Sequence, residues 1–214
     1  MAGLLVFAVL GGYVLISVLI VYRVLRAAPQ KKLVAGILAA IVVTLPVTTM
    51  FWEYVQTKRT FEKYCREEAK VTIFKTIEQW KKENPGVAET LMPYNDKNRP
   101  EKRPDINSNL DEEIGINEYI NSRFIWVVKE KGPIENNVIK RISEIIDIKT
   151  GKIIVRWTDF SSGYGNPFLG TPYGWKSYKV WLTNSKCSHS DENEIMFFKN
   201  IELIKEFGGY KRDK

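Results

Sequence analysis

Two uncharged apolar runs, Gly3–Tyr22 and Leu33–Trp52, limit what this chain can fold into more than any other feature. They are separated by the short basic stretch Arg23-Val24-Leu25-Arg26-Ala27-Ala28-Pro29-Gln30-Lys31-Lys32. Each run is about 20 residues long, and a helix rising about 1.5 Å per residue then covers about 30 Å, the thickness of a hydrocarbon core. In lipid every backbone polar group must be satisfied within its own segment. The pattern therefore predicts two helices, about 3–22 and 33–52, forming a transmembrane hairpin over 1–52 and holding a soluble domain over 53–214.

Orientation follows from charge. The turn carries Arg23, Arg26, Lys31 and Lys32 and no acid, while Met1-Ala2-Gly3 carries no charged side chain. The turn is expected in the cytoplasm and both ends outside it. Lys58, Arg59, Lys63 and Arg66 count the other way, but long domains translocate largely regardless of charge. A cleaved signal peptide fits the first run poorly, because the basic n-region is missing and the apolar stretch is too long. Within the hairpin, Ala8 and Gly12, and likewise Gly36 and Ala40, are four apart, a spacing that allows close helix approach. Pro46, with Thr44, Thr48 and Thr49 nearby, predicts a bend in the second helix. Neither run contains an ionisable residue, which disfavours a transporter or pump.

The rest of the chain has the means to fold by itself. Its length suits one domain, and all six Trp (52, 80, 126, 157, 175 and 181) fall at or beyond the end of the second run. The formal charge of +7 owes four basic residues to the turn, and elsewhere Lys and Glu are interleaved. A nucleic-acid binder shows a concentrated basic face, so the surface reads as merely solvated, and no nucleic-acid partner is expected. Cys65 and Cys187 are a staple in an oxidising compartment or buried thiols in the cytosol. A domain outside the cytoplasm favours the disulfide.

Along the chain, residues 53–68 read as a juxtamembrane helix continuing out of the second run, with Val55, Phe61, Tyr64, Cys65 and Ala69 near helical spacing. Val71, Ile73, Lys75 and Ile77 alternate with Thr72, Phe74, Thr76 and Glu78, which predicts a strand. Pro85-Gly86 marks a turn, and Tyr94 to Asp111 reads as a long exposed loop. Strands are expected over Arg123–Glu130, bounded by Lys131-Gly132-Pro133, and over Asn137–Ile148. Lys149-Thr150-Gly151 turns the chain back into Lys152–Phe160 as a hairpin, Gly151 supplying the positive φ. After the aromatic, Gly-rich segment Ser161–Ser177, a last strand is expected over Tyr178–Thr183. A C-terminal helix is expected over Glu194–Phe207, stopped by Gly208-Gly209. The fold class is α+β: a two-helix transmembrane hairpin followed by a mainly antiparallel β domain with a juxtamembrane helix and a C-terminal helix.

Cys65-x-x-Glu68-Ala69 followed by Ile73-Phe74-Lys75-Thr76-Ile77 resembles a pattern found in a group of uncharacterised, membrane-anchored small proteins of Gram-negative bacteria. The Asp147-x-x-Thr150-Gly151 turn, with a Gly-rich aromatic stretch and a second Cys after it, is similar too. Lys70 stands where that pattern has Gly, and Phe74 where it has Tyr. The resemblance implies a fold and the pairing of Cys65 with Cys187. Joined to the hairpin and the basic turn, the bacterial source of that group gives the expected placement, a two-pass bacterial inner-membrane protein with a periplasmic domain. It implies no chemistry.

Catalytic patterns are sparse. The single histidine, His189, lies two residues from Cys187 and two from Asp191. Structural zinc takes four Cys or His ligands and the chain has three such residues, so no metal or cofactor is expected. A thiol–imidazole site at Cys187 and His189 is the alternative to a surface loop beside a paired cysteine. Ser161-Ser162-Gly163-Tyr164-Gly165 lacks the spacing of a Gly-x-Ser-x-Gly elbow, and Gly163 to Gly174 lacks the ending of a phosphate loop. Tyr164, Phe168, Tyr173 and Trp175 are the residue types that form hot spots, and they make this segment the expected partner-binding surface. Two functions are thus expected in competition. The first is a non-catalytic, membrane-anchored interaction or envelope-assembly protein, immunity-like, with the lipid bilayer and a protein as partners. The second is a small envelope hydrolase using Cys187 and His189.

Overall fold

In a computed structural model the described residues are 2–27, 32–92, 116–164, 176, 179, 181–182 and 185–207. The chain divides into two compact units, one formed by Met1–Lys58 with Gly163–Asn184 and the other by Arg59–Ser162 with Ser185–Lys214. The expected loop Tyr94–Asp111 lies outside the described residues.

The first unit contains helix α1 (Ala2–Ala27) and most of helix α2 (Lys32–Glu67). Both apolar runs are helical, as expected, but among the described residues no helix is long and apolar enough to cross a membrane. The transmembrane hairpin, and the two-pass inner-membrane placement built on it, are therefore not supported. In α2, Pro46 and three threonines lie within the apolar part, and from Glu53 onward the same helix is charged. Thr44 Oγ1 donates to the Ala40 carbonyl (2.9 Å), Thr48 to Leu45 (2.9 Å) and Thr49 to Pro46 (2.8 Å), local bonds that take up carbonyls around the proline. Helix contact does not run through the glycines, since a Cβ added at Gly12 or Gly36 would meet nothing within 4 Å. Among the described side chains of the two apolar runs Ser17 and Ala39 are buried, and the Tyr13 hydroxyl donates to the Val43 carbonyl. Leu15, Leu19, Leu33, Leu45, Phe51 and Trp52 are exposed.

The second unit is built on an antiparallel sheet in the order β1-β5-β4-β3-β2, with β6 beside β5. The strands are β1 (Lys70–Ile73), β2 (Ile116–Tyr119), β3 (Phe124–Glu135), β4 (Val138–Asp147), β5 (Lys152–Ser162) and β6 (Ser185–Lys186). Helix α3 (Ile77–Glu83) lies between β1 and β2 in the chain, and helix α4 (Ser190–Lys205) is the last of the described elements. The α+β class and the antiparallel sheet agree with expectation, as do the C-terminal helix and the Gly151 turn (φ 67°).

Three element boundaries differ from the sequence reading. The strand expected through Ile77 stops at Ile73, because Thr76 caps α3: its hydroxyl accepts from Gln79 N (3.2 Å) and the Gln79 side chain accepts from Thr76 N (3.1 Å). β3 runs through Gly132-Pro133 instead of ending before it, with an irregular register between Lys131 and Glu135 that spares the proline a ladder bond. The turn to β4 is made by Asn136 and Asn137, both at positive φ (43° and 61°), which asparagine tolerates. In the expected strand Tyr178–Thr183, Leu182 N donates to the Lys179 carbonyl (2.9 Å), a turn, and the strand pairing with β5 is β6.

One sheet face packs against α3 and α4. Trp80, Phe124, Ile145, Val155, Phe197 and Ile204 are almost wholly buried there, with Trp80 edge-on to Phe124 at 4.9 Å and stacked on Phe207 at 5.7 Å. Phe197, Ile201 and Ile204 recur at helical spacing along α4, which is why that helix lies on the sheet. At the edge of this core Asp147, 1 % exposed, ends β4. Its Oδ1 accepts from Arg123 Nε (2.9 Å) and Lys149 N (3.0 Å), and its Oδ2 from Arg123 Nη2 (2.9 Å) and Trp80 Nε1 (3.0 Å). Arg123 also donates to Asn84 Oδ1 (3.0 Å).

Burial pushes the Asp147 carboxyl up, but the Arg123 and Trp80 hydrogen bonds, the guanidinium charge and the Lys149 amide outweigh it and hold it below the usual carboxylate value. A depressed folded-state pKa contributes stability that is present above the unfolded value of about 3.9 and is lost as pH falls through the folded one. We therefore expect Asp147→Ala to lower unfolding free energy by about 3–5 kcal/mol at neutral pH, because Arg123 is left buried without its partner. That deficit should shrink in denaturant titrations carried below pH 4, and a deficit independent of pH would contradict the ion-pair account.

Candidate functional site

The other sheet face carries Lys129, Lys131, Lys140, Glu144 and Arg156 and is where a site can be built. Cys65, near the end of α2, is bonded to Cys187 just after β6, with Cα atoms 5.4 Å apart, so the expected disulfide is present. β6 brings Cys187 into place by pairing Ser185 and Lys186 with Ser162 and Ser161. Around the bond, Phe61, Val138 and Phe160 form a buried cluster, and Tyr64 stacks on Phe160 at 5.1 Å. The hairpin tip is tied to the same helix, since Asn136 Nδ2 donates to Thr60 Oγ1 (2.9 Å).

Between α2 and the β3–β4 hairpin lies a cleft of about 340 Å³, lined by Tyr64, Glu68, Lys129, Lys131, Ile134, Lys140 and Ile142. Strand register assembles it: Lys129 lies opposite Ile142, and Lys131 directly opposite Lys140. Lys140 reaches Glu68 at 3.0 Å. Lys129 lies 3.5 Å from Glu144, a buried carboxylate that Arg156 holds more closely at 2.6 Å. Tyr64 donates to Glu135 (3.1 Å), and that bond, with burial and the Glu135 charge, raises the phenol above its usual value. Lys131 is exposed on this wall, and among the described residues no acid lies within ion-pair distance of it. The arrangement can attract and hold an anion beside an apolar surface.

The residues singled out by sequence are not gathered here. Cys187 has no thiol to offer, being half of the disulfide, and His189 is an exposed residue before α4, 3.6 Å from Glu192. Among the described residues no three His, Cys, Asp or Glu side chains group as metal ligands. Tyr164 is buried in the first unit, and burial with the nearby Glu53 charge raises its phenol. Glu53 also accepts from Trp181 Nε1 (2.9 Å) and pairs with Lys179. Phe168, Tyr173 and Trp175 lie outside the described residues. Lys129, Lys131 and Lys140 are three of many lysines in the sequence. The alternation of Lys129 and Lys131 along one strand is legible there; the facing of Lys131 and Lys140 emerges only with the register.

Comparison with protein-family models, with curated proteins and with solved structures found no match.

The disulfide closes a loop of 122 residues, for which the chain-entropy model gives about 4–5 kcal/mol. Non-reducing tryptic mass mapping should recover one peptide linking Cys65 to Cys187, and Cys65→Ser with Cys187→Ser should lower the denaturation midpoint. Two alkylatable thiols in protein handled with alkylator throughout would contradict the pairing.

Proposed function

We propose that this chain is a non-catalytic interaction protein, a disulfide-stapled α+β domain that works by docking another protein. The observation that carries this reading is the commitment of Cys187 to Cys65. The competing hydrolase needs a thiolate at Cys187 activated by His189, and a sulfur already bonded cannot be a nucleophile. The open position of His189 gives the same support, because an activated base is normally held by packing and a third group. Exposed apolar side chains along α1 and α2, among them Leu15, Leu33, Phe51 and Trp52, favour a contact surface over a free monomer. Tyr164 is buried, so Phe168, Tyr173 and Trp175 are the contact residues we assign, since Tyr and Trp supply large rigid areas that anchor interfaces.

Chemical crosslinking in cells, followed by mass spectrometry, tests the reading with the wild type, Trp175→Ala and Tyr173→Ala. Wild type should capture a reproducible protein partner, and each aromatic truncation should weaken capture at least several-fold, as loss of about 1–2 kcal/mol at a hot spot does. No captured partner would overturn the function. Retention of every crosslink by both variants would displace the contact surface.

A further inference from the structure

Like charges directly opposite on neighbouring antiparallel strands are destabilising. Lys131 and Lys140 do face each other in the β3–β4 register, on the sheet face that lines the cleft. Glu68 answers one of the two charges, through Lys140 at 3.0 Å, and its side chain is 44 % exposed, so this contact is open to solvent. Lys131 is left with its charge on the cleft wall, and Lys129 adds a third cation whose acid, Glu144, is already bound more closely by Arg156. The remaining wall is Ile134, Ile142 and Tyr64, whose hydroxyl donates to Glu135 (3.1 Å), a carboxylate outside ion-pair distance of the three lysines. A volume of about 340 Å³ takes one acidic side chain and its apolar neighbour.

We propose that the cleft is a docking site for an acidic segment of a protein partner, a Glu or Asp carboxylate set between Lys131 and Lys140 with an adjoining apolar side chain against Ile134 and Ile142. This deepens the interaction reading and rests on it. A carboxylate there removes the repulsion between the facing lysines. Lysine also suits the task, because each ammonium is a point charge on a flexible stem that can follow a carboxylate. The contact is electrostatic and half-open, so it contributes specificity and encounter rate more than raw affinity.

The test uses the full chain with isoleucine methyl groups labelled for NMR. The probe is the peptide acetyl-Glu-Phe-Glu-Leu-Glu-amide, and the controls are its Gln-for-Glu counterpart and inorganic phosphate, at about 50 mM salt where screening is weak. The expected result is saturable movement of the Ile134 and Ile142 methyls with the Glu peptide only. Lys131→Glu should weaken binding about tenfold, whereas Lys152→Glu, an exposed control in β5, should leave it unchanged. Equal response to the Gln peptide, tighter saturation by phosphate, or wild-type binding by Lys131→Glu would overturn the site. Lys131→Gln supplies a second check, because relief of the facing charges should keep or raise the thermal midpoint. A lowered midpoint would make Lys131 a structural residue and refute the proposal. If Lys131→Glu keeps the cellular crosslinks that Trp175→Ala loses, the cleft fails and the interaction reading stands.

Discussion

The carboxylate of Asp147 ties together parts of the second unit that are far apart in the chain: Trp80 of α3, Arg123 ahead of β3, and the Lys149 amide in the turn to β5. A buried carboxylate must have its lone pairs answered, so these partners are fixed once β4 ends where it does. The gross stabilisation lies elsewhere. Burying an aromatic side chain of roughly 150–250 Å² at about 25 cal/mol per Å² gives on the order of 4–6 kcal/mol, and Trp80, Phe124 and Phe197 each do this. A buried ion pair roughly breaks even against its desolvation. The pair thus selects the arrangement that the aromatic core stabilises, and Arg123, lying 4.8 Å over the Trp80 ring, joins the two.

The two faces of the sheet solve the problem of charge differently. Toward α4 the acid is sealed and fully bonded. On the opposite face, buried Glu144 answers both Arg156 and Lys129, while Lys131 and Lys140 meet with one partly exposed carboxylate beside them. An apolar cluster around the disulfide closes one end of that face, and a second, around Ile125, Val127 and Ile146, lies farther along it. The cleft is therefore the place on this face that no packed core fills and where two cations face each other with one carboxylate in ion-pair distance, which is what distinguishes a candidate contact surface from a solvated one.

How far the sequence discloses this varies with the signal. The Gly151 hairpin and the C-terminal helix are local, and local chemistry reveals them. The capping box at Thr76 and Gln79 is local too and was legible, but the β-branched alternation from Val71 onward outweighed it and carried the strand four residues too far. Gly132-Pro133 reads as a strand terminator because a central strand cannot hold proline; an irregular register can, and nothing in the residues themselves announces one. The apolar runs read correctly as helices, but among the described residues no helix is long and apolar enough to cross a membrane, so run length alone did not carry the hairpin. The Asp147–Arg123 pair and the cleft depend on contacts between distant positions and were beyond reach of any window.

Register joins these features. Side chains alternate faces along a strand, so a slip of one residue between β3 and β4 would move Asp147 away from Arg123 and would also carry Lys140 off the face it shares with Lys131. Asp147 sets that register from the end of β4. At the other end the two-residue turn at Asn136 and Asn137, which needs positive φ at both positions, fixes the pairing of Glu135 with Val138, and the irregular step between Lys131 and Glu135 separates that pairing from the one that holds Lys131 opposite Lys140. The lysine pair thus lies in the register that Asp147 fixes, and its charges are answered by side-chain placement, as in the contact of Lys140 with Glu68, and by the acidic segment we propose for the cleft. The constraint that orders the core thus also holds the cationic wall in place.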